Sequence, residues 1–283
     1  MKYLIILAIL IPAAAFAAEP EIYYLDNGMQ VALIENHAAP VIASSVIVHT
    51  GQREVPPELA GAAHLLEHLL FNGTLNRTQE ELYEDMDLLG AYNNAHTGDN
   101  FTNFVILAGK DEFPEALEVQ TDMIFHSTLP DAKFQKERGI VAEEILQSYQ
   151  RGGTLADRNF QARFFRGTGY EHPVLGSVRS IETMERAGVE EYYNTRFVPN
   201  NMTAIITGDF DPQEIKEVVE KNLGAPPPGE IPARPEIELE FRHAQGLQPL
   251  MLVHEDIEGV YLRIGVTAAP SRTDSGYFAA ELL

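Results

Sequence analysis

The stretch HLLEHLLFNGT, residues 64–74, carries two histidines four positions apart, with a glutamate just before the second. On an α-helix His64 and His68 lie roughly 40° apart around the axis and one turn along, while Glu67 lies roughly 60° to the other side of His64. All three side chains can therefore face one cavity. Two imidazoles at this spacing can hold one zinc ion, leaving the glutamate free to act on a water molecule. From the composition, chance accounts for roughly 0.03 such arrangements in this chain, so a coincidence explains it poorly.

The surrounding chain bounds what such a site can use. There is no cysteine, so any metal ligand must be histidine, carboxylate or water, and no disulfide supports the fold. A chain of 283 residues is long enough to build its own core. Forty-two acidic against 20 basic residues give a formal charge of −22, which disfavours nucleic acid and anionic lipid surfaces as partners. The first twenty residues, MKYLIILAILIPAAAFAAEP, combine one lysine, an apolar run and the small-residue site AFA at Ala15–Ala17. This is the pattern of a secretory signal over residues 1–17, too short for a confident membrane span. The expectation is an exported protein, periplasmic or secreted, without a stable membrane anchor.

Around the histidine stretch, strands and helices interleave without regular βαβ alternation, which predicts an α+β fold. IYYLDNGMQVALIEN reads as two strands joined at Asp26-Asn27-Gly28, and VIASSVIVHTG as a third. Residues 57–71 read as helical, and RTQEELYEDMDLLG as a helix opened by a Thr78–Glu81 capping box and stopped at Gly90. AYNNAHTGDNFTNFVILAG gives two strands about a Gly-Asp turn. Residues 112–150 are mostly helical with a break near Leu129-Pro130, 151–177 are mixed, and a helix follows over 181–195. NMTAIITGDF is a strand, and DPQEIKEVVEKNLG a helix capped at Asp211. APPPGEIPARPE, residues 225–236, reads as a proline-rich linker. It separates a domain over 18–224 from 237–283, where IELEF, LMLVHED and VYLRIGVTA suggest strands and GYFAAELL a helix, the opening of a second domain.

The third ligand is sought among histidines and carboxylates. In KERGIVAEEILQ, Glu137 and Glu144 lie seven apart and share a helix face beside Ile140 and Val141. By itself this pair reads more readily as a solvated acidic face than as a ligand pair, because the chain is rich in glutamate.

HLLEH followed by KERGIVAEE, with 75 residues between His68 and Glu144, resembles the pitrilysin/insulinase family of zinc metallopeptidases, which includes the mitochondrial processing peptidase; its inverted His-x-x-Glu-His is the inverzincin motif. The resemblance implies His64, His68 and Glu144 as ligands of one Zn2+, Glu67 as general base and Glu137 as a supporting carboxylate. FNGT and NNAHTGDNFTNF also resemble family features, and imply that Asn94 and Ala95 on a strand edge contact the backbone of an added peptide. The expected fold is α+β, a mixed and mostly antiparallel sheet packed with helices, with a second homologous domain or a partner chain completing a chamber. The expected activity is zinc-dependent endopeptidase action on peptides or unfolded segments. The rival is a non-catalytic or partner subunit of a two-chain peptidase, since the family includes inactive members. His96 lies on the substrate strand, His172 reads as a loop residue, and His37, His49, His126, His243 and His254 show no ligand spacing.

Overall fold

Residues 19–233, together with 251, 259–265 and 277, are described by the computed structural model. The expected export signal at residues 1–17 lies outside them. β1 (Glu21–Tyr24) and β2 (Gln30–Glu35) form the expected hairpin. Gly28 takes φ +85° at its turn, and Asn27 ties the turn down by donating to the carbonyls of Leu223 at 2.7 Å and Pro226 at 3.0 Å.

β3 (Val41–Val48), β4 (Tyr92–Thr97), β5 (Thr102–Gly109) and β6 (Met202–Gly208) complete one six-stranded sheet in the order β1-β2-β6-β3-β5-β4. Only the β2–β6 pair is parallel. Alternate residues send one face into the core: Ile42, Val46 and Val48 from β3, Phe104, Ile106 and Ala108 from β5, Met202, Ala204 and Ile206 from β6. β4 closes the order with β5 as its sole strand partner among the described residues, so its other edge is open.

The helices are α1 (Ala62–Leu70), α2 (Gln79–Leu88), α3 (Phe113–Phe125), α4 (Asp131–Tyr149), α5 (Gly152–Phe164), α6 (Val178–Thr183), α7 (Arg186–Arg196) and α8 (Pro212–Leu223). The capping box at Thr78 and Glu81 is formed at α2, and Asp211 caps α8. In α1, Leu65, Leu66, Leu69 and Leu70 are fully buried, each contributing about 1.5–3 kcal/mol by leaving water. That apolar side leaves His64, Glu67 and His68 together on the half-exposed side. Truncating Leu66 to alanine would cost roughly 2–5 kcal/mol and loosen the helix that holds them.

Three expectations need adjustment. Residues 152–164, within a stretch read as mixed, form α5; the Gly152-Gly153 start weakens its propensity, and its half-buried residues show no clean apolar stripe. The helix expected over 181–195 is two helices, because Met184 and Glu185 turn extended and a Ser177–Ser180 capping box starts α6 earlier. Residues 260–265, expected as strand, carry no ladder among the described residues; Arg263 instead pairs with Asp157 of α5. The break near Leu129 is real: Leu129 takes φ 44° with its side chain buried, and Arg186 donates from Nε to its carbonyl at 2.7 Å. Strands expected at 237–241 and 250–256 and the helix over 276–283 fall outside the described residues, apart from Met251 and Tyr277.

The proline-rich segment is held against the domain over residues 225–233. Pro226 is buried, the Gly229 N–H and carbonyl both pair with the Asn200 side chain at 2.9 Å, and Arg196 donates to the Pro232 carbonyl at 3.0 Å. Among the described residues no helix is long and apolar enough to cross a membrane.

Candidate metal centre

α1 packs against both α4 and β4, which brings the sequence-predicted residues to one place. One ligand atom each from His64, His68 and Glu144 lie within 4.8 Å of one another. Glu144 Oε2 stands 4.0 Å from His64 Nε2 and 3.8 Å from His68 Nε2. The two rings meet edge to face, 4.7 Å between centroids. Two donors at about 2.0–2.2 Å from one zinc ion are at most about 4.4 Å apart, so a small inward movement lets this trio share an ion. Burial, reinforced by the nearby His68 and His96, pushes His64 down to about 4. Its imidazole is therefore neutral at neutral pH, the form that can bind metal. Its Nδ1 is buried and has no hydrogen-bond partner among the described residues.

Glu137 approaches His68 from behind. Its Oε2 lies 3.2 Å from His68 Nδ1, its Oε1 accepts from Asn72 Nδ2 at 3.2 Å, and its side chain is only 8% exposed. The same Asn72 nitrogen donates to the His68 carbonyl at 2.8 Å. A proton on Nδ1 donated to Glu137 would leave the Nε2 lone pair on the side of Glu144. Glu143, next to Glu144, is exposed and outside the trio.

Glu67 sits one residue before His68 and is not part of the trio; its Oε2 accepts a hydrogen bond from the Thr97 hydroxyl at the end of β4. Asn94 is exposed, and its Oδ1 accepts from the Ala95 N–H at 2.9 Å. That amide points to the open edge rather than to β5, so by the alternation of an antiparallel ladder the backbones of Asn93, Ala95 and Thr97 face outward. An added strand would replace Asn94 Oδ1 at the Ala95 amide. His96 is exposed and meets Phe101 edge to face at 6.2 Å. Thr97 and Asn72 received no role from the sequence, although both lie inside the quoted stretches NNAHTGDNFTNF and FNGT.

A mixed sheet thus carries a histidine helix against a glutamate helix, with an open strand edge beside them. A family model described as Insulinase (Peptidase family M16) matches residues 30–178, and one described as Peptidase M16 inactive domain matches 183–283. The chain belongs to the insulinase family, peptidase family M16.

Among its relatives, human "Cytochrome b-c1 complex subunit 1, mitochondrial" is 28% identical over 215 residues, covering 76% of this chain and 45% of that protein. "Uncharacterized zinc protease YmxG" of Bacillus subtilis is 27% identical over 203 residues, 72% of this chain and 49% of its own. "Mitochondrial-processing peptidase subunit beta" of Caenorhabditis elegans is 26% identical over 213 residues, covering 75% and 46%. The chain thus spans about half the length of these curated relatives. A protease from Helicobacter pylori superposes with a TM-score of 0.73 at 23% identity, over 78% of this chain and 53% of that one. Pitrilysin does so at 0.67 and 23%, over 76% and 24%. At such identities the superpositions establish the fold.

Proposed function

We propose that this chain is a zinc-dependent endopeptidase acting on peptides or unfolded segments, with His64, His68 and Glu144 as ligands of one zinc ion and Glu67 as general base. The observation that carries this reading is the trio of donor atoms within 4.8 Å, with Glu67 one residue away and tied to the open strand. Zinc held there supplies Lewis acidity, which polarises a peptide carbonyl and makes water more acidic. Glu67 takes a proton from the attacking water as the carbon–oxygen bond forms, and returns it to the departing amine nitrogen as the carbon–nitrogen bond breaks. Thr97 orients that carboxylate. The outward backbone of β4, with Asn94 and Ala95, holds the peptide as an added strand. Glu137 orients His68.

A second homologous domain or partner chain completing the substrate chamber belongs to this proposal, as does export directed by residues 1–17. The alternative, a non-catalytic partner subunit, draws on the similarity to the human cytochrome b-c1 complex subunit. Two measurements on the purified chain separate the readings: metal content and hydrolysis of an unstructured peptide. The peptidase reading expects about one zinc per chain and, in Glu67→Gln, retained zinc with hydrolysis lowered by at least roughly 10²-fold. Wild-type protein that holds zinc and cleaves no faster than Glu67→Gln would favour the partner-subunit reading.

A further inference from the structure

Gln52 is fully buried in a 3-10 turn, Gln52–Glu54, between β3 and α1. Its Oε1 accepts from the N–H of Gly61, the residue that begins α1, at 2.9 Å. Gly61 has no side chain to cap the helix, and Gln52, nine residues upstream, pairs the Gly61 N–H, one of the four amides that the start of a helix leaves without an intrahelical partner. The Gln52 N–H donates to the Gly98 carbonyl at 3.1 Å, and the Arg53 N–H to the Asp99 carbonyl at 2.9 Å. Gly98 and Asp99 belong to the turn joining β4 to β5. Gly51 permits this approach, since a Cβ there would lie 2.4 Å from the Gly98 oxygen.

One residue thus grips the start of the histidine helix by its side chain and the end of the open strand by its backbone. Thr97, beside Gly98, donates to Glu67 in the same helix and closes the circuit. Gln52 Nε2 is buried and has no hydrogen-bond partner among the described residues. An unpaired buried amide costs free energy that a methionine of similar size would avoid. Core filling alone therefore does not account for glutamine here; the acceptor oxygen on Gly61 does.

We propose that Gln52 is a positioning residue, which holds α1 and the β4 edge in one register so that Glu67 meets a peptide paired along that edge. The proposal rests on the peptidase reading above for its kinetic consequence, and on geometry alone for its structural one.

The full chain is compared with Gln52→Met and Gln52→Glu. The methionine variant keeps volume and lacks the acceptor; the glutamate variant keeps the acceptor, with its charge at the favourable start of a helix. A melting curve first establishes that each variant is folded. Gln52→Met should lose about tenfold or more in kcat on an unstructured peptide at full zinc occupancy, since small misplacements near the reacting atoms are costly. KM should stay within about twofold, because β4 keeps its pairing with β5 over residues 92–96 and only its far end loosens. Hydrogen exchange at the Gly61 amide and across residues 97–102 should accelerate together, with β1 and β2 unchanged. Gln52→Glu should restore both readouts. Unchanged exchange in folded Gln52→Met overturns the proposal, as does a folded Gln52→Glu no better than Gln52→Met. If the wild-type chain cleaves no peptide, the peptidase reading fails, and the exchange measurement alone decides the role of Gln52.

Discussion

The Thr97 hydroxyl donates to Glu67 Oε2, joining the last residue of the open strand to the carboxylate of the histidine helix. Thr97 is buried and Glu67 half-exposed, so the contact is partly shielded from competing water. Replacing Thr97 by valine keeps the shape and deletes the donor. With Glu67 free to rotate, kcat for peptide hydrolysis should fall by roughly tenfold, while zinc content and KM stay near wild type. Steady-state kinetics beside metal analysis test this. An unchanged kcat would show that Glu67 needs no orientation from the strand.

Glu137 is the corresponding support for His68. Glu137→Gln keeps Asn72 in reach but removes the carboxylate that faces His68 Nδ1. Carboxylates behind metal-binding histidines typically carry a factor of roughly 10 to 100 in metal affinity. Competition with a chelator should therefore show Glu137→Gln losing zinc about ten times more readily than wild type. Glu144→Gln should lose more than Glu137→Gln, because it removes a donor of the trio itself. Equal loss in the two variants would contradict their different places.

Most of this site was legible in the sequence, for a physical reason. His64, Glu67 and His68 lie on one helix, where spacing alone fixes their relative directions, whereas Glu137 and Glu144, seven apart on another, read by themselves as a solvated acidic face and were joined to the histidines only by the family resemblance. The alternating burial of β3 and β5 was equally readable from their β-branched runs. Contacts between elements distant in sequence were not. Thr97 and Glu67, 30 residues apart, show no period that links them, and neither do Gln52 and Gly98. α5 was missed because a Gly-Gly start and half-buried sides carry neither a cap nor a stripe. The docking of 225–233 was missed because its anchors are single side chains, Asn27, Arg196 and Asn200, on remote elements.

A pH-dependent element lies on the far side of the sheet ends. His37 Nδ1 is 2.6 Å from Asp209 and its Nε2 is 2.5 Å from Glu35, while Lys110 also reaches Asp209 at 3.0 Å. The bond to Asp209, then that to Glu35, raises His37 above its ordinary 6.5. The bond to His37, then that to Lys110, lowers Asp209 below its ordinary 3.8. A raised histidine contributes stability that is complete below 6.5 and lost as pH rises through the raised value. A lowered aspartate contributes stability present above 3.8 and lost as pH falls through the lowered value. The cluster therefore stabilises most between these two ordinary values. The Tm difference between wild type and His37→Gln should be larger near about pH 5.5 than near about pH 9, and modest throughout because His37 is exposed. A difference that grows with rising pH would refute the sign.

Arg196 of α7 meets Glu54 at 3.2 Å, with side-chain exposures of 8% and 0%. Thr50 also donates to Glu54, and Arg53 reaches its other oxygen at 3.4 Å. Removing one partner of a buried pair strands the other charge, at a cost of roughly 3–5 kcal/mol. Arg196→Met should fall at the lower end, near about 3 kcal/mol, because Arg53 and Thr50 still attend Glu54. Removing both charges as Arg196→Met with Glu54→Leu should recover much of that loss, since an apolar pair of similar volume avoids the desolvation penalty. The same substitution at Arg196 deletes the bond to the Pro232 carbonyl, so the strap over 225–233 should become a preferred site of proteolytic nicking in both variants. Urea unfolding and limited proteolysis, run side by side, separate the two roles of Arg196. If the double variant recovers stability yet stays sensitive at the strap, the ion pair serves the core and the Pro232 bond holds the segment. Recovery of both together would mean that the strap merely follows global stability.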